Sequence, residues 1–158
     1  MTAKADNSPA PADHLNLGRL GDFVGFRLRR IQNQLSRDFS VKSARYELRP
    51  GEFSAMELIS ANPGLSQVML SREIGLDKSL TVALIDDLEA LGLAERRQSP
   101  TDRRRHALYT TPKGESVLKS LFDMLEPVER ETLNALGPDD LKTLSELLDR
   151  MYDACFRK

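Results

Sequence analysis

The N-terminal third of the chain shows a helical pattern of apolar residues. From Leu15 to Phe39 these residues recur at steps of three and four, which predicts one long amphipathic helix. A second helix is predicted over 52–61. Residues 1–13 are mostly small or polar and show no such periodicity, so we expect a flexible arm there. The remaining residues, 14–158, are few enough to form a single domain.

The middle of the chain carries the pattern of two short helices joined by a glycine. Ser66 can cap a helix over 67–74, and Asp77 can cap a helix over 78–91. Gly75 interrupts the chain between them, which is typical of a helix-turn-helix. The apolar residues that we expect on the inner faces of these helices are Val68, Leu70, Ile74, Leu80, Leu84, Ile85 and Leu88.

Two short segments rich in arginine follow the helix-turn-helix. Residues 94–99 and 105–110 can pair as a β-hairpin, because Pro100-Thr101-Asp102 between them has the chemistry of a turn. Arginines lie on both sides of that turn, at Arg96, Arg97, Arg103, Arg104 and Arg105. A positively charged hairpin tip suits the minor groove of DNA. The alternative is a solvated basic edge that protects the strands against aggregation.

The C-terminal part of the chain predicts two further helices. Thr111-Pro112 can start the first, and Gly137-Pro138 separates it from the last. Segments 14–48 and 112–158 carry more apolar surface than a small helix-turn-helix core can cover, so we expect them to dimerise with a second copy. The predicted fold is therefore mainly α, with residues 49–111 forming a helix-turn-helix and its β-hairpin wing.

Composition and charge limit the possible classes of function. The net charge of -1 means that affinity for nucleic acid must come from local clusters of basic residues. A single cysteine, Cys155, and the lack of a leader or long apolar run favour the reducing cytoplasm and argue against a membrane protein. We expect Cys155 to be a buried, inert thiol beside Met151 and Tyr152 rather than a redox sensor. His14 and His106 lack neighbouring ligands, so neither a metal site nor a cofactor is expected.

The order of these motifs resembles the MarR family of winged helix-turn-helix transcriptional regulators, from about Leu17 to the C-terminus. Asp102-Arg103-Arg104, followed by Thr110-Thr111 and Gly114, is similar to the wing motif of the family, although Thr110 replaces the usual Leu. Gly92-Leu93-Ala94-Glu95-Arg96 resembles the link into the wing, and 77–88 resembles the recognition helix.

The resemblance implies specific contacts with DNA. Arg103 or Arg104 would enter the minor groove, while Asp102 would hold an arginine in place. Lys78, Ser79 and Thr81 would face the major groove. Ala83, Asp86 and Asp87 occupy the outer face of the recognition helix, where family members often carry a basic residue, so base readout there stays open. The candidate DNA-binding residues are Ser66, Arg72, Lys78, Ser79, Thr81, Arg97, Arg103, Arg104 and Arg105.

By the same resemblance, the protein is expected to be a homodimeric repressor that releases a palindromic operator when a small anionic or aromatic effector binds. An aromatic carboxylate or its coenzyme A thioester would be such an effector. The first helix and the segment after it offer candidate ligand residues, namely Arg19, Phe26, Arg29, Arg30 and Tyr46. Alternatively, these arginines are solvent-facing partners of Asp and Glu.

Two other functions are open at the level of sequence. One is a winged-helix module that contacts proteins instead of DNA, and the other is a small cytoplasmic enzyme. The chain shows neither a nucleophile with a positioned base nor a glycine loop for phosphate, so we expect no catalysis.

Overall fold

A computed structural model describes residues 15–98 and 106–157 of the chain. The predicted arm, 1–13, lies outside these residues. The chain forms two compact units, one up to Gln34 and one from Leu35 onwards. The division falls inside helix α1 (Val24–Ser43). Because the chain forms two units, the single domain over 14–158 stays a prediction.

The first unit corrects the prediction of one continuous N-terminal helix. A 3-10 helix spans Gly18–Asp22, and α1 begins only at Val24. Phe23 between them has an extended backbone, with φ -93° and ψ 112°, which ends the first turn. The apolar side chains that suggested a single helix are exposed in this unit, at Leu17, Leu20, Phe23, Val24, Leu28 and Ile31.

The second unit contains the predicted helix-turn-helix. Helix α2 spans Pro50–Ala61, α3 spans Gln67–Ile74 and α4 spans Lys78–Ala90. The side chain of Ser66 accepts a hydrogen bond from the backbone N–H of Met69 and caps α3, as predicted. Gly75 then takes a left-handed conformation with φ 67°, which lets the chain turn sharply into α4.

Two of the predicted inner-face residues are on the outside. Val68 is 61% exposed and Leu80 is 54% exposed. In α4 the buried face is instead Thr81, Leu84, Ile85 and Leu88, which is a regular stripe at steps of three and four. Val68 lies two residues before Leu70 and faces away from it on α3, whereas Leu80 lies in the first turn of α4 at the edge of the buried stripe.

A three-stranded antiparallel sheet carries the wing. Strands β2 (Ala94–Gln98) and β3 (His106–Thr110) pair as predicted, in the register Ala94↔Thr110 to Gln98↔His106. The prediction missed a third strand, β1 (Leu65–Ser66), which pairs with the other side of β3 and is too short for a periodic signal. The mainly α fold with a small β wing is confirmed.

The two C-terminal helices also form. Helix α5 spans Pro112–Leu133 and α6 spans Pro138–Phe156. Cys155 is exposed in the chain, so the prediction of a buried thiol is wrong. None of the residues of α6 is buried. Large apolar side chains of α6 are likewise exposed, at Leu147, Leu148, Met151 and Phe156.

The core of the second unit lies between the helix-turn-helix, β3 and α5. Its largest fully buried apolar side chains are Met56, Ile59, Leu70, Ile85, Leu88, Leu108 and Leu121. Gly114 packs against this core at the first turn of α5. A side chain there would overlap the carbonyl oxygen of Leu93, and it would come within 2.6 Å of the methyl group of Thr110.

Gly114→Ala is therefore expected to destabilise the fold by about 2 kcal/mol or more, because the clash is with backbone that cannot rotate away. Gly51→Ala is the matched control, since a Cβ on Gly51 meets no atom within 4 Å. That control should be neutral or stabilising by up to about 1 kcal/mol. Urea unfolding of both variants measures the difference, and equal stability would contradict the close approach at Gly114.

Asp77 predicts a defined pH dependence of stability. Its carboxylate accepts hydrogen bonds from the backbone N–H of Leu80, which is the larger effect, and from the hydroxyl of Ser79, and these lower its pKa from 3.8. The stabilisation is complete above the unfolded-state value and is lost as the pH falls through the lower folded-state value. We expect the difference in Tm between the native chain and Asp77→Ala to shrink below about pH 4.

Asp77→Asn is the control, because Asn caps helices well but does not titrate in this range. The Tm difference between Asp77→Asn and Asp77→Ala should stay constant across the same pH range. If the native chain also kept a constant difference from Asp77→Ala, the charge at this cap would make no contribution.

Candidate nucleic-acid interface

The first turn of α4 is fixed by its cap. The Asp77 carboxylate lies 2.9 Å from the backbone nitrogen of Leu80 and 2.7 Å from the hydroxyl oxygen of Ser79. Lys78 and Ser79 are both exposed directly after the cap. The start of the predicted recognition helix is thus both capped and exposed to solvent.

An open groove of about 880 Å³ lies between the start of α3, the start of α4 and the first residue of β3. It brings together three predicted DNA-binding residues, Ser66, Arg72 and Lys78. The groove also contains Gln67, Val68, Met69, Ser71 and His106. Arg72 in the last turn of α3 and Lys78 at the first residue of α4 are both exposed, and two neighbouring cations attract phosphate groups.

The prediction that Thr81 faces DNA is wrong. Thr81 is fully buried, and its hydroxyl donates a 2.8 Å hydrogen bond to the backbone carbonyl of Asp77. A buried side chain with a satisfied hydroxyl cannot contact a base. Leu80, one residue earlier, is exposed in its place.

Asp86 is more than half exposed, and its carboxylate is paired with an arginine of the wing. It accepts a 2.6 Å hydrogen bond from Arg96 of strand β2, and the same guanidinium also contacts Glu89 and the carbonyl oxygen of Val82. The Arg96 side chain is only 18% exposed. This arginine therefore fastens the wing to the recognition helix.

Asp87, the second acidic residue of that face, is bonded to Arg49 at the start of α2. Arg49 also donates to the buried carboxylate of Glu52, and this bond is the largest cause of the raised pKa of Arg49. The acidic outer face that the sequence indicates is thus a pair of carboxylates held by arginines from two neighbouring elements.

The described part of the wing exposes one predicted DNA-binding residue. Arg97 is exposed and lies over the ring of Tyr109, at 4.5 Å from the ring centre, while its Nε donates to Glu95 over 2.9 Å. These contacts hold the guanidinium on the surface of the sheet. Asp102, Arg103, Arg104 and Arg105 lie outside the described residues, so their roles remain predictions.

The predicted ligand residues are placed in different units. In the first unit, Arg19, Arg29 and Arg30 are exposed, and the guanidinium of Arg29 lies 5.9 Å from the ring centre of the half-buried Phe26. In the second unit, Tyr46 is half-buried and accepts a 2.7 Å hydrogen bond from Arg45. A cleft formed by all five residues remains a prediction.

Sequence reasoning missed an aromatic pocket in the second unit. Phe39 of α1, Phe53 of α2 and Phe122 of α5 form a cluster with ring centres 5.3 Å and 5.0 Å apart. They line a pocket of about 420 Å³ together with Leu35, Leu125, Glu126, Val128 and Glu129. Each phenylalanine lies on the apolar stripe of its own helix, so the sequence signal is indistinguishable from that of an ordinary core.

A second pocket, of about 530 Å³, lies between α2, α3 and α6. The Tyr152 hydroxyl of α6 is hydrogen-bonded to the Glu73 carboxylate of α3, which raises the pKa of the phenol. Among residues 15–98 and 106–157, no group of three His, Cys, Asp or Glu side chains has the arrangement to hold a metal ion. No helix in that part of the chain combines the length and hydrophobicity that a membrane crossing requires.

Comparison with known proteins agrees with this architecture. Residues 46–105 match the model of the MarR family. A Thauera aromatica protein assigned as transcriptional regulator for the hcr operon is 34% identical over 152 residues, which cover 94% of this chain and 92% of that protein. The transcriptional repressor CouR, solved on a 23-mer DNA duplex, is 34% identical with a TM-score of 0.77, covering 87% of this chain and 98% of CouR.

CouR has also been solved with p-coumaroyl-CoA bound, and that structure has a TM-score of 0.76 to this chain. The two are 31% identical, and the match covers 87% of this chain and 97% of CouR. Family model, relatives and winged helix-turn-helix geometry lead to the same assignment. The chain belongs to the MarR family of transcriptional regulators.

Proposed function

We propose that this regulator binds a palindromic DNA operator as a homodimer and releases it when an aromatic acyl thioester binds. The observation that carries the DNA part is the groove where Arg72 and Lys78 flank the start of the recognition helix. The relative CouR, which was solved on a DNA duplex, supports it as well. Nothing in the fold favours a protein-interaction module or an enzyme.

Electrostatics supports binding through this surface. The chain as a whole has a net charge of -1, so overall charge does not attract DNA. Arg72 and Lys78 concentrate positive charge locally, while Asp86 and Asp87 are held by Arg96 and Arg49. These ion pairs reduce the repulsion that free carboxylates would exert on the phosphate backbone.

The apolar surfaces support a homodimer. Leu147, Leu148, Met151 and Phe156 are exposed along α6, and large exposed apolar patches mark interaction sites. A twofold dimer would place two recognition helices roughly 34 to 36 Å apart, which is one turn of DNA. Such spacing is what a palindromic operator requires.

Arg72→Ala and Lys78→Ala test the DNA surface. Each should weaken binding to every duplex, and each should reduce the slope of log affinity against log salt by about 1, because each removes one phosphate contact. Fluorescence anisotropy titration at several salt concentrations measures both quantities. Lys119→Ala removes an exposed charge from α5 and serves as the control, for which an unchanged slope is expected. Unchanged slopes for Arg72→Ala and Lys78→Ala would refute the assignment.

The aromatic pocket supports the effector part of the proposal. Phe39, Phe53 and Phe122 pack against one another and can form an aromatic wall for a ligand ring, and apolar walls of this kind are typical of small-molecule sites. Glu126 and Glu129 also line the pocket, and Glu126 is paired with Arg130. A free aromatic carboxylate would bring like charge close to these groups, whereas a thioester has no charge beside the ring.

The chemistry of the pocket therefore favours the thioester over the free acid. The relative CouR, solved with p-coumaroyl-CoA, supports the same class of ligand. Release of DNA then requires that the thioester bind more tightly to a conformation with low affinity for DNA, because a ligand shifts an equilibrium only by its differential affinity.

Phe122→Ala tests the location of the pocket. Removal of this ring should raise the p-coumaroyl-CoA concentration for half-release of DNA about tenfold, because about 1.5 kcal/mol of aromatic burial is lost. Phe26→Ala is the comparison, since Phe26 is the ligand residue that the sequence predicted. We expect little change for Phe26→Ala. The opposite ranking of the two variants would place the effector elsewhere.

A further inference from the structure

The exposed surface at the start of the recognition helix includes an apolar strip beside polar residues. Leu80 is 54% exposed, and Ala83, one turn further along, is also exposed. Ser79 lies beside them, but its hydroxyl donates its hydrogen to Asp77 over 2.7 Å. Leu80 and Ala83 therefore present methyl groups to solvent next to the polar residues Lys78 and Ser79.

The remaining polar groups of this face are held by other interactions. Asp86 is bonded to Arg96 and Asp87 to Arg49, so each carboxylate already has a cationic partner, and both stay more than half exposed. Lys78 lies in the groove that also contains Arg72, where phosphate binding is expected. Contacts of Asp86 or Asp87 with bases would compete with these ion pairs.

An apolar side chain in the major groove can distinguish bases by contact with a methyl group. In the major groove, thymine is the base that presents a methyl group, at its C5 position. We propose that Leu80, supported by Ala83, selects operator half-sites by contact with thymine methyl groups. This inference rests on the proposed DNA-binding function and assigns the determinant of sequence choice within it.

The test uses the duplex that the protein enriches most from a random library. Each thymine is replaced singly by deoxyuridine, which removes the methyl group and keeps the hydrogen-bonding pattern. For the native chain, affinity should fall about fourfold per contacted methyl group, at symmetric positions of the two half-sites. Two further duplexes carry 5-methylcytosine·guanine or cytosine·guanine in place of the same thymine·adenine pair. The protein should bind the duplex with 5-methylcytosine more tightly than the duplex with cytosine.

Leu80→Ala completes a double-mutant cycle. The variant should bind the thymine duplex more weakly and should no longer distinguish thymine from deoxyuridine at the contacted position. Val41→Ala is the matched control, because Val41 is an exposed apolar residue of α1 that does not line the groove. It should preserve the ratio between the two duplexes. Both side chains are exposed, so both variants should keep the native Tm.

The possible failures are distinguishable. Equal affinity of the native chain for thymine and deoxyuridine duplexes, with the salt effects of Arg72→Ala and Lys78→Ala intact, would overturn the methyl readout and leave the DNA-binding function standing. A thymine preference that persists in Leu80→Ala would overturn the assignment to Leu80. Failure to bind any duplex at low salt would overturn both proposals.

Discussion

The docking of the wing on the recognition helix depends on one arginine. Arg96 reaches from β2 to α4, where its guanidinium contacts Asp86, Glu89 and the carbonyl oxygen of Val82. Its own backbone N–H donates to Glu89 over 2.6 Å. Because the Arg96 side chain is mostly buried, its charge needs compensation, and loss of both carboxylates would leave an uncompensated charge, which is costly in proteins. The wing and α4 are therefore held in one fixed relation.

This anchor also explains an apparent conflict in the sequence. A DNA-binding helix with two adjacent aspartates on its outer face appears unsuited to a polyanion. The structure shows that these aspartates serve the fold, because Asp86 secures the wing and Asp87 secures the start of α2 through Arg49. Within α4, the first turn presents Lys78 and Leu80 to solvent outside these ion pairs. Charge composition alone would not separate these two parts of one helix.

Local signals in the sequence predicted much of the fold. Ser66, Asp77 and Thr111 cap their helices as expected, because capping depends on residues three positions apart. The sequence predicted that Leu80 is buried and that Thr81 faces DNA, and the structure shows the reverse exposure. Thr81 can be buried because its hydroxyl donates a hydrogen bond to a backbone carbonyl within the helix. The aromatic pocket was not predictable, since Phe39, Phe53 and Phe122 are brought together by tertiary packing.

Helix α2 offers a physical route between the aromatic pocket and the DNA surface. Phe53 on α2 contributes a wall of the pocket, and Arg49 at the start of the same helix is bonded to Asp87 of α4. Helix α2 also packs against α3, α4 and β3. Because a packed helix moves as a rigid element, a ligand that displaces Phe53 would shift Arg49 and thereby α4. Arg96 would carry the wing along with α4, so a small displacement at the pocket would change the placement of both DNA-contacting elements.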